Sequence, residues 1–402
     1  MQWLWPPRQA AIGFVAVVVG SLLFLDNAFA AARPKWAVMA YLSGQGGLEQ
    51  EAAAYWQTLI EAAAEGYCAA AVQIDGPHLC ARWLAVPGKR CKYQPLGVVN
   101  MGAQPALTEF LQWARRSLAA DRYLLIVMGH GSGLATLAPQ LSGVAFDGGS
   151  SDTLSIAELS AALAETQPAD RPIELVSLQA CYAASLEVAY SLRQTANYLV
   201  ASPDRVASPG LPWAQLLPRL SGCEDGYAAV QVLYGEYEHA LVGFDLRAAA
   251  DVTAHLTALV EALSADVRAN APVLRLIRSR SPNWGYRDEM CDLLYLAHVL
   301  HRVAGSRQVA ECAGEFELSL ERAMVPRPGR RTANAEAHVG NLGIFFPATW
   351  EPVPTHYGST YRLADETGWA EFLKAYYDIT AGQLIGSGIQ VPPARPGSTG
   401  VL

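Results

Sequence analysis

The chain has 402 residues, of which 51% are hydrophobic and 16% charged, and carries a formal net charge of −8. That is ordinary globular composition with ample core material for one large domain or two to three smaller ones. Nucleic-acid binding needs a basic face, and this chain has only four lysines, at positions 35, 89, 92 and 374, with no basic run.

Residues 1–30 read as a secretory signal. Arg8 supplies a positive start, residues 9–25 carry no charge, and Ala28-Phe29-Ala30 forms an A-x-A cleavage site. The uncharged stretch is shorter than the ~20 residues a spanning helix needs. The expectation is therefore a cleaved leader, a secreted or periplasmic protein, and no membrane association afterwards. No later segment is long and apolar enough to span a bilayer. A domain is expected over 31–380, followed by a Gly/Pro/Ser-rich tail over 381–402 that reads as disordered.

Beyond the leader, strands and helices alternate. Trp36–Leu42 predicts a strand and Leu48–Glu65 an amphipathic helix. Ala69–Asp75 and Ala81–Val86 predict strands, the second paired as a hairpin. Pro105–Leu118 predicts a helix, and Tyr123–Met128 a strand leading to His130. Ser155–Glu165 predicts a helix, capped by Thr153 or Ser155 with Glu158 three residues after Ser155. Ile173–Leu178 predicts the strand leading to Cys181, Ala184–Gln194 a helix, and Asn197–Ala201 a strand. The second half is more helical, over Tyr227–Tyr237, Leu246–Val267 and Met290–Val303. A strand at Gly343–Pro347 and a helix at Trp369–Tyr377 close the series. Such βα alternation predicts an α/β fold with a mostly parallel sheet covered on both faces.

Two of these strands each deliver a reactive side chain at the C-terminal end, His130 in Met128-Gly129-His130-Gly131-Ser132-Gly133 and Cys181 in Gln179-Ala180-Cys181. That edge is where active sites of open parallel sheets collect. A thiol beside an imidazole is the working pair of a cysteine hydrolase. An inert core cysteine and a turn histidine are the plain alternative. A serine hydrolase is disfavoured, because Ser132 does not sit in a G-x-S-x-G elbow and none occurs elsewhere.

Ordered blocks along the chain also resemble one family. They are Asn100-Met101-Gly102, Leu111-Gln112-Trp113-Ala114, Asp121-Arg122-Tyr123-Leu124-Leu125-Ile126 running into His130-Gly131, and Asp147 followed by Leu154-Ser155 and Glu158-Leu159. Further on come Ala180-Cys181 with Ser185–Tyr190, then Leu199-Val200-Ala201-Ser202, Phe345-Phe346-Pro347 and Trp369–Leu373. The set resembles the clostripain family of secreted cysteine peptidases, in the caspase-like clan, over roughly residues 36–380. The His-to-Cys spacing and the Gln-Ala-Cys run also resemble the local signature of caspases.

The resemblance implies a caspase-like αβα sandwich with helical C-terminal additions. It implies a peptidase acting on protein or peptide substrates, with Cys181 as nucleophile and His130 as general acid and base. The backbone N–H groups of Gly131 and Cys181 would form the oxyanion hole. An imidazolium nearby and a helix starting near Ala184 are expected to lower the Cys181 pKa. Gln179 stands where the family pattern has an Asp that helps bind a basic P1 side chain. Asp204 could restore that preference, and Arg205 could favour an acidic one, so both remain candidates with Gln179 for substrate binding. Gln179 and the Met128-Gly129 pair, where the family usually has a larger aromatic, motivate the alternative of a weak or inactive member serving as a binding module.

Relatives are often activated by cleavage after a basic residue between His and Cys. Here residues 131–180 contain one, Arg171, and Pro172 follows it, so no conventional two-chain processing is expected. No cofactor is required. Calcium could bind the acidic loop Asp147–Asp152, although a plain surface loop is favoured because ordered ligand spacing is lacking. No zinc site is expected, since C-x-x-C and H-x₃-H spacings are absent, and a monomer is favoured. There are seven cysteines. With Cys181 free, export predicts three bridges: Cys80–Cys91, Cys291–Cys312 and, by elimination, Cys68–Cys223.

Overall fold

The computed structural model describes residues 34–76, 80–134, 142–166, 172–235, 241–284, 289–327, 340–347 and 357–387. The expected leader (1–30) and Arg171 lie outside these residues, as does the chain beyond 387.

Thirteen strands are present among the described residues. They are β1 (Trp36–Ser43), β2 (Ala69–Asp75), β3 (Cys80–Ala85), β4 (Lys92–Gly97), β5 (Arg122–Met128), β6 (Ala145–Asp147), β7 (Asp152–Leu154), β8 (Ile173–Gln179), β9 (Ala196–Ala201), β10 (Val242–Asp245), β11 (Asn283–Trp284), β12 (Met290–Asp292) and β13 (Gly343–Phe345). The first helices are α1 (Glu49–Ala64), α2 (Gln104–Ser117), α3 (Ile156–Thr166), α4 (Leu186–Leu192), α5 (Trp213–Leu220) and α6 (Gly226–Tyr234). They are followed by α7 (Ala249–Ala265), α8 (Val267–Arg280), α9 (Leu293–Val303), α10 (Arg307–Ala323), α11 (Tyr357–Thr360), α12 (Arg362–Glu366) and α13 (Trp369–Ser387).

The main sheet has eight strands in the order β10-β9-β8-β5-β1-β2-β3-β4. Its five central strands, β9 to β2, run parallel, and β10, β3 and β4 add antiparallel edges. β1 is buried along its whole length, as a strand covered on both faces must be.

Strand side chains alternate between faces, and the two cores divide accordingly. Met39, Tyr41, Leu125, Val127, Val176 and Leu178 join a core covered by α2, α3, α4 and the C-terminal helices. Val38, Ala40, Leu124, Ile126, Met128 and Leu175 join another covered by α1, α5 and α6. The result is the expected αβα sandwich with helical C-terminal additions.

Local signals hold where their partners are close in sequence. Ser155 Oγ accepts the Glu158 N–H at 3.2 Å, while the Glu158 carboxylate accepts the Ser155 N–H at 3.0 Å. That reciprocal pair opens α3.

Other elements depart from expectation. The helix foreseen over 246–267 is a 3-10 turn at Leu246–Ala248, then α7, then α8. Asp266 (φ −148°, ψ 77°) breaks the helical path and caps α8 by accepting from Ala269 N–H. Met290–Asp292 is strand rather than helix, because it pairs with β13. α13 continues through Ser387, into the segment expected to be a tail.

The cysteine pairing is corrected outright: all seven cysteines are free thiols. Cys80 is buried in one core, 3.9 Å from the Met101 sulfur, whereas Cys91 packs against the other core across the sheet. Cys291 is buried in β12 and donates to the Asp292 carbonyl, while Cys312 lies on α10. Cys223 donates instead to the Arg219 carbonyl. Proximity in sequence does not place two sulfurs on one face of a sheet.

Replacing Ser155 by Ala should lower stability by about 1 kcal/mol through loss of the α3 cap. Urea unfolding checks this, with Ser155→Asp expected to hold most of the stability because it keeps the acceptor.

Candidate active site

The chain leaves β1 for one side and returns through β5 to the other, so the strand order reverses between them. The helix after β1 covers one face and the elements after β5 cover the opposite face. A crevice at the C-terminal strand ends follows from that geometry.

β5 and β8 pair in parallel with Met128 opposite Gln179. His130 and Cys181 each lie two residues beyond that matched pair. Two residues restore the same face, and neighbouring strands are about 4.8 Å apart. The register therefore delivers His130 and Cys181 to the same end of the sheet, on neighbouring strands. Both residues are half-buried.

His130 is anchored from β1. Its Nε2 lies 2.9 Å from the carbonyl oxygen of Gly46. Gly46 has φ +82°, and a Cβ there would come within 3.2 Å of the His130 ring. Gly131 is pressed against the nucleophile strand: a Cβ would sit 2.8 Å from Ala180 Cβ and 3.1 Å from Cys181 N. Only glycine lets the His and Cys loops approach this closely.

Around Cys181 the backbone is constrained. Tyr182 has φ +60°, a conformation costing about 1–2 kcal/mol for a side chain of this size. Its N–H donates to the Asp204 carbonyl at 3.1 Å, and its hydroxyl accepts from Arg205 Nε at 3.0 Å. Val206 N–H points at Cys181 Sγ, 3.4 Å away. The loop after β9 thus closes over the thiol.

Burial pushes the Cys181 thiol above its ordinary range; the Val206 N–H and the Arg205 guanidinium oppose this, and Asp204 reinforces it. This corrects the expected lowered pKa. The expected helix dipole is not at hand either, because α4 begins at Leu186 with Ser185 as its cap. The resting thiol is protonated at neutral pH.

Of the expected substrate-binding residues, Asp204 and Arg205 do reach this site, and both are exposed. The Asp204 carboxylate accepts the Arg205 N–H at 2.7 Å. Gln179 differs. It is 4% exposed, its amide oxygen accepts from the Tyr55 hydroxyl, and its nitrogen donates to Ser177 Oγ. Both ends of the amide are engaged inside the protein, since the parity that brings Cys181 to this face also turns Gln179 under α1.

The loop Asp147–Asp152 is exposed at residues 148–151, as a surface loop should be. It is the turn of the β6–β7 hairpin, and Asp147 is buried, accepting from Met101 N–H and Ser150 N–H. Among the described residues no group of three or more His, Cys, Asp or Glu side chains could hold a metal ion.

Sequence reasoning missed Gly46, Tyr182 and Val206. The signal for Gly46 was available: Gly44-Gln45-Gly46-Gly47 directly follows β1 at the active edge. Tyr182 and Val206 act through backbone geometry, which side-chain chemistry does not reveal.

An αβα sandwich around a mostly parallel sheet, with a Cys and a His just past the C-terminal ends of two neighbouring strands, is a caspase-like fold. The sequence model of the Clostripain family matches residues 94–279. Clostripain of Hathewaya histolytica is 31% identical over 134 residues, 30% of this chain and 25% of that protein. The match thus spans a quarter of that relative's length. Over these residues the chain is similar to the clostripain family.

Two solved structures share the fold. One is a secreted C11 cysteine protease from Bacteroides thetaiotaomicron with an irreversible peptide inhibitor, at TM-score 0.63 and 14% identity, covering 84% of this chain and 99% of that one. The other is an inactive zymogen C11 protease from Parabacteroides distasonis, at TM-score 0.62 and 16% identity, with the same coverage of 84% and 99%. Among the described residues no helix is long and apolar enough to cross a membrane.

Iodoacetamide should alkylate Cys181 in the resting protein with a pH midpoint above that of an ordinary thiol. Arg205→Ala should raise the midpoint further and Asp204→Asn should lower it, following the signs of their charges. A rate already on its plateau at pH 6 would contradict a protonated resting thiol.

Proposed function

We propose that this protein is an exported cysteine endopeptidase with Cys181 as nucleophile and His130 as general acid and base. The observation that carries the reading is the β5–β8 register, which sets His130 and Cys181 at equivalent positions on neighbouring strand ends. The similarity to the clostripain family over residues 94–279 supports peptide bonds as the target.

The Gly46 carbonyl can only accept a hydrogen bond, so His130 Nε2 carries a proton, and in the neutral ring Nδ1 is then the nitrogen with the lone pair. With substrate in place, Nδ1 takes the thiol proton as sulfur attacks the scissile carbonyl. A thiol that is neutral at rest suits proton transfer coupled to attack rather than a standing ion pair. The oxygen that gains negative charge faces the N–H groups of Gly131 and Cys181, donors worth about 3 kcal/mol each in acyl transfer. His130 then protonates the leaving amine, and an acyl-enzyme forms on Cys181. Water, deprotonated by the same imidazole, hydrolyses it. The exposed pair Asp204 and Arg205 stands beside the nucleophile and bears on the P1 side chain. None of these steps calls on a cofactor, and calcium enters as an accessory ion to be tried.

A second reading, a weak or inactive member used as a binding module, is favoured by the burial that raises the Cys181 thiol.

The test uses protein lacking residues 1–30, in reducing buffer, with a fluorogenic peptide library varied at P1, with and without calcium. Cys181→Ala and His130→Ala should each lower kcat by at least about a thousandfold. Full activity in Cys181→Ala would refute the assignment. Folded wild type with no cleavage at all would favour the binding module.

A further inference from the structure

The His130 partner, Gly46, sits in a short loop pinned on both flanks. On one flank, Gly44 N–H donates to the Asp75 carbonyl at 3.2 Å. A Cβ on Gly44 would lie 2.6 Å from that oxygen, so the loop rests directly on the end of β2. On the other flank, Ser43 Oγ donates to the Phe146 carbonyl at 2.8 Å.

Between them, Gln45 spans the gap with both ends of one amide. Its Nε2 donates to Asp75 Oδ2, and its Oε1 accepts from Gly149 N–H. Asp75 is 3% exposed, so its carboxylate relies on such donors. Burial pushes Asp75 up to about 6, reinforced by the charge of Asp147 and opposed by Gln45 itself. Asp75 Oδ2 accepts from Gln45 Nε2. The Gly149 side is equally fixed, because Asp147 ties that hairpin to Met101 N–H.

The next residue after Gln45 carries the carbonyl that meets His130. A glycine at φ +82° has no conformational preference of its own to hold that carbonyl in place. Orientation must come from its neighbours, and Gln45 is bonded on both sides.

We propose that Gln45, clamped between Asp75 and Gly149, is a positioning residue that fixes the tautomer and orientation of His130 through the Gly46 carbonyl. The role in catalysis rests on the peptidase reading above. The clamp itself is a statement about His130 and has its own readout.

The experiment compares wild type, Gln45→Glu, Asp75→Asn, the double variant and Gln45→Leu. Ring ¹⁵N shifts of His130 report the tautomer, and peptide hydrolysis per titrated thiol reports kcat and KM. Wild type should show the Nε2–H tautomer alone. Gln45→Glu places a carboxylate against Asp75, and Gln45→Leu removes both bonds without adding charge. Each should give a tautomer mixture and a kcat about tenfold to a hundredfold lower, with KM unchanged.

Asp75→Asn alone should be mild, because the amide oxygen it introduces still accepts from Gln45. In the double variant the donor is reversed. The new amide at position 75 donates to the new carboxylate at position 45, which still accepts from Gly149 N–H. Tautomer and kcat should return towards wild type. A single Nε2–H tautomer in both Gln45→Leu and Gln45→Glu would overturn the proposal. So would a kcat loss in Gln45→Glu that Asp75→Asn fails to rescue. Inactive wild type would sink the peptidase reading instead, and the ¹⁵N shifts would still decide the clamp.

Discussion

The parallel register of β5 on β8 is the constraint on which the site depends. Met128 faces Gln179, and every later placement follows from that pairing. A slip of one residue would turn either His130 or Cys181 to the opposite face. The register is held by the sheet's burial on both sides. Val127 and Leu178 point into one core, and Ile126 and Leu175 into the other. Any slip would drive polar and apolar positions into the wrong layer, so the same hydrophobic burial that stabilises the sheet aligns the two reactive groups.

Around that register the site is assembled from contacts that work against intrinsic preference. Tyr182 occupies a left-handed conformation, held by the backbone of Asp204 and the side chain of Arg205. Cys181 is buried enough to stay neutral. Strained residues of this kind persist only where the surroundings over-determine them. Here the loop after β9 does so. It crosses the thiol with Val206 and returns through Gly210 to Leu211, whose N–H donates to the Tyr55 hydroxyl. Tyr55 in turn holds Gln179. The nucleophile loop is therefore tied to α1 through one tyrosine.

The C-terminal elements serve the same framework. Glu187 on α4 is fully buried and accepts from Phe345 N–H and the Tyr357 hydroxyl. Burial raises its pKa, against those two donors. The Gly343 N–H also donates to the Ala184 carbonyl. The segment just after Cys181 is thus fastened to chain far downstream, which is why the blocks at 185–190 and 345–347 belong to one structural unit.

Alternation and spacing in the sequence determined the central strands, α1 to α3, the α3 capping box, and the delivery of His130 and Cys181 to one sheet edge. These depend on neighbours within a few residues, where local physics dominates. Only the tertiary structure decided the rest. Which face a cysteine occupies depends on sheet register and crossover, so Cys80 and Cys91 part company despite their spacing. Whether Met290–Asp292 extends or coils depends on a distant β13 partner. Whether Gln179 meets a ligand or Tyr55 depends on how α1 packs. The pKa of Cys181 depends on how deeply the loop after β9 buries it. The sequence named the reactive groups because their chemistry belongs to their side chains; their environment is a property of distant chain brought together.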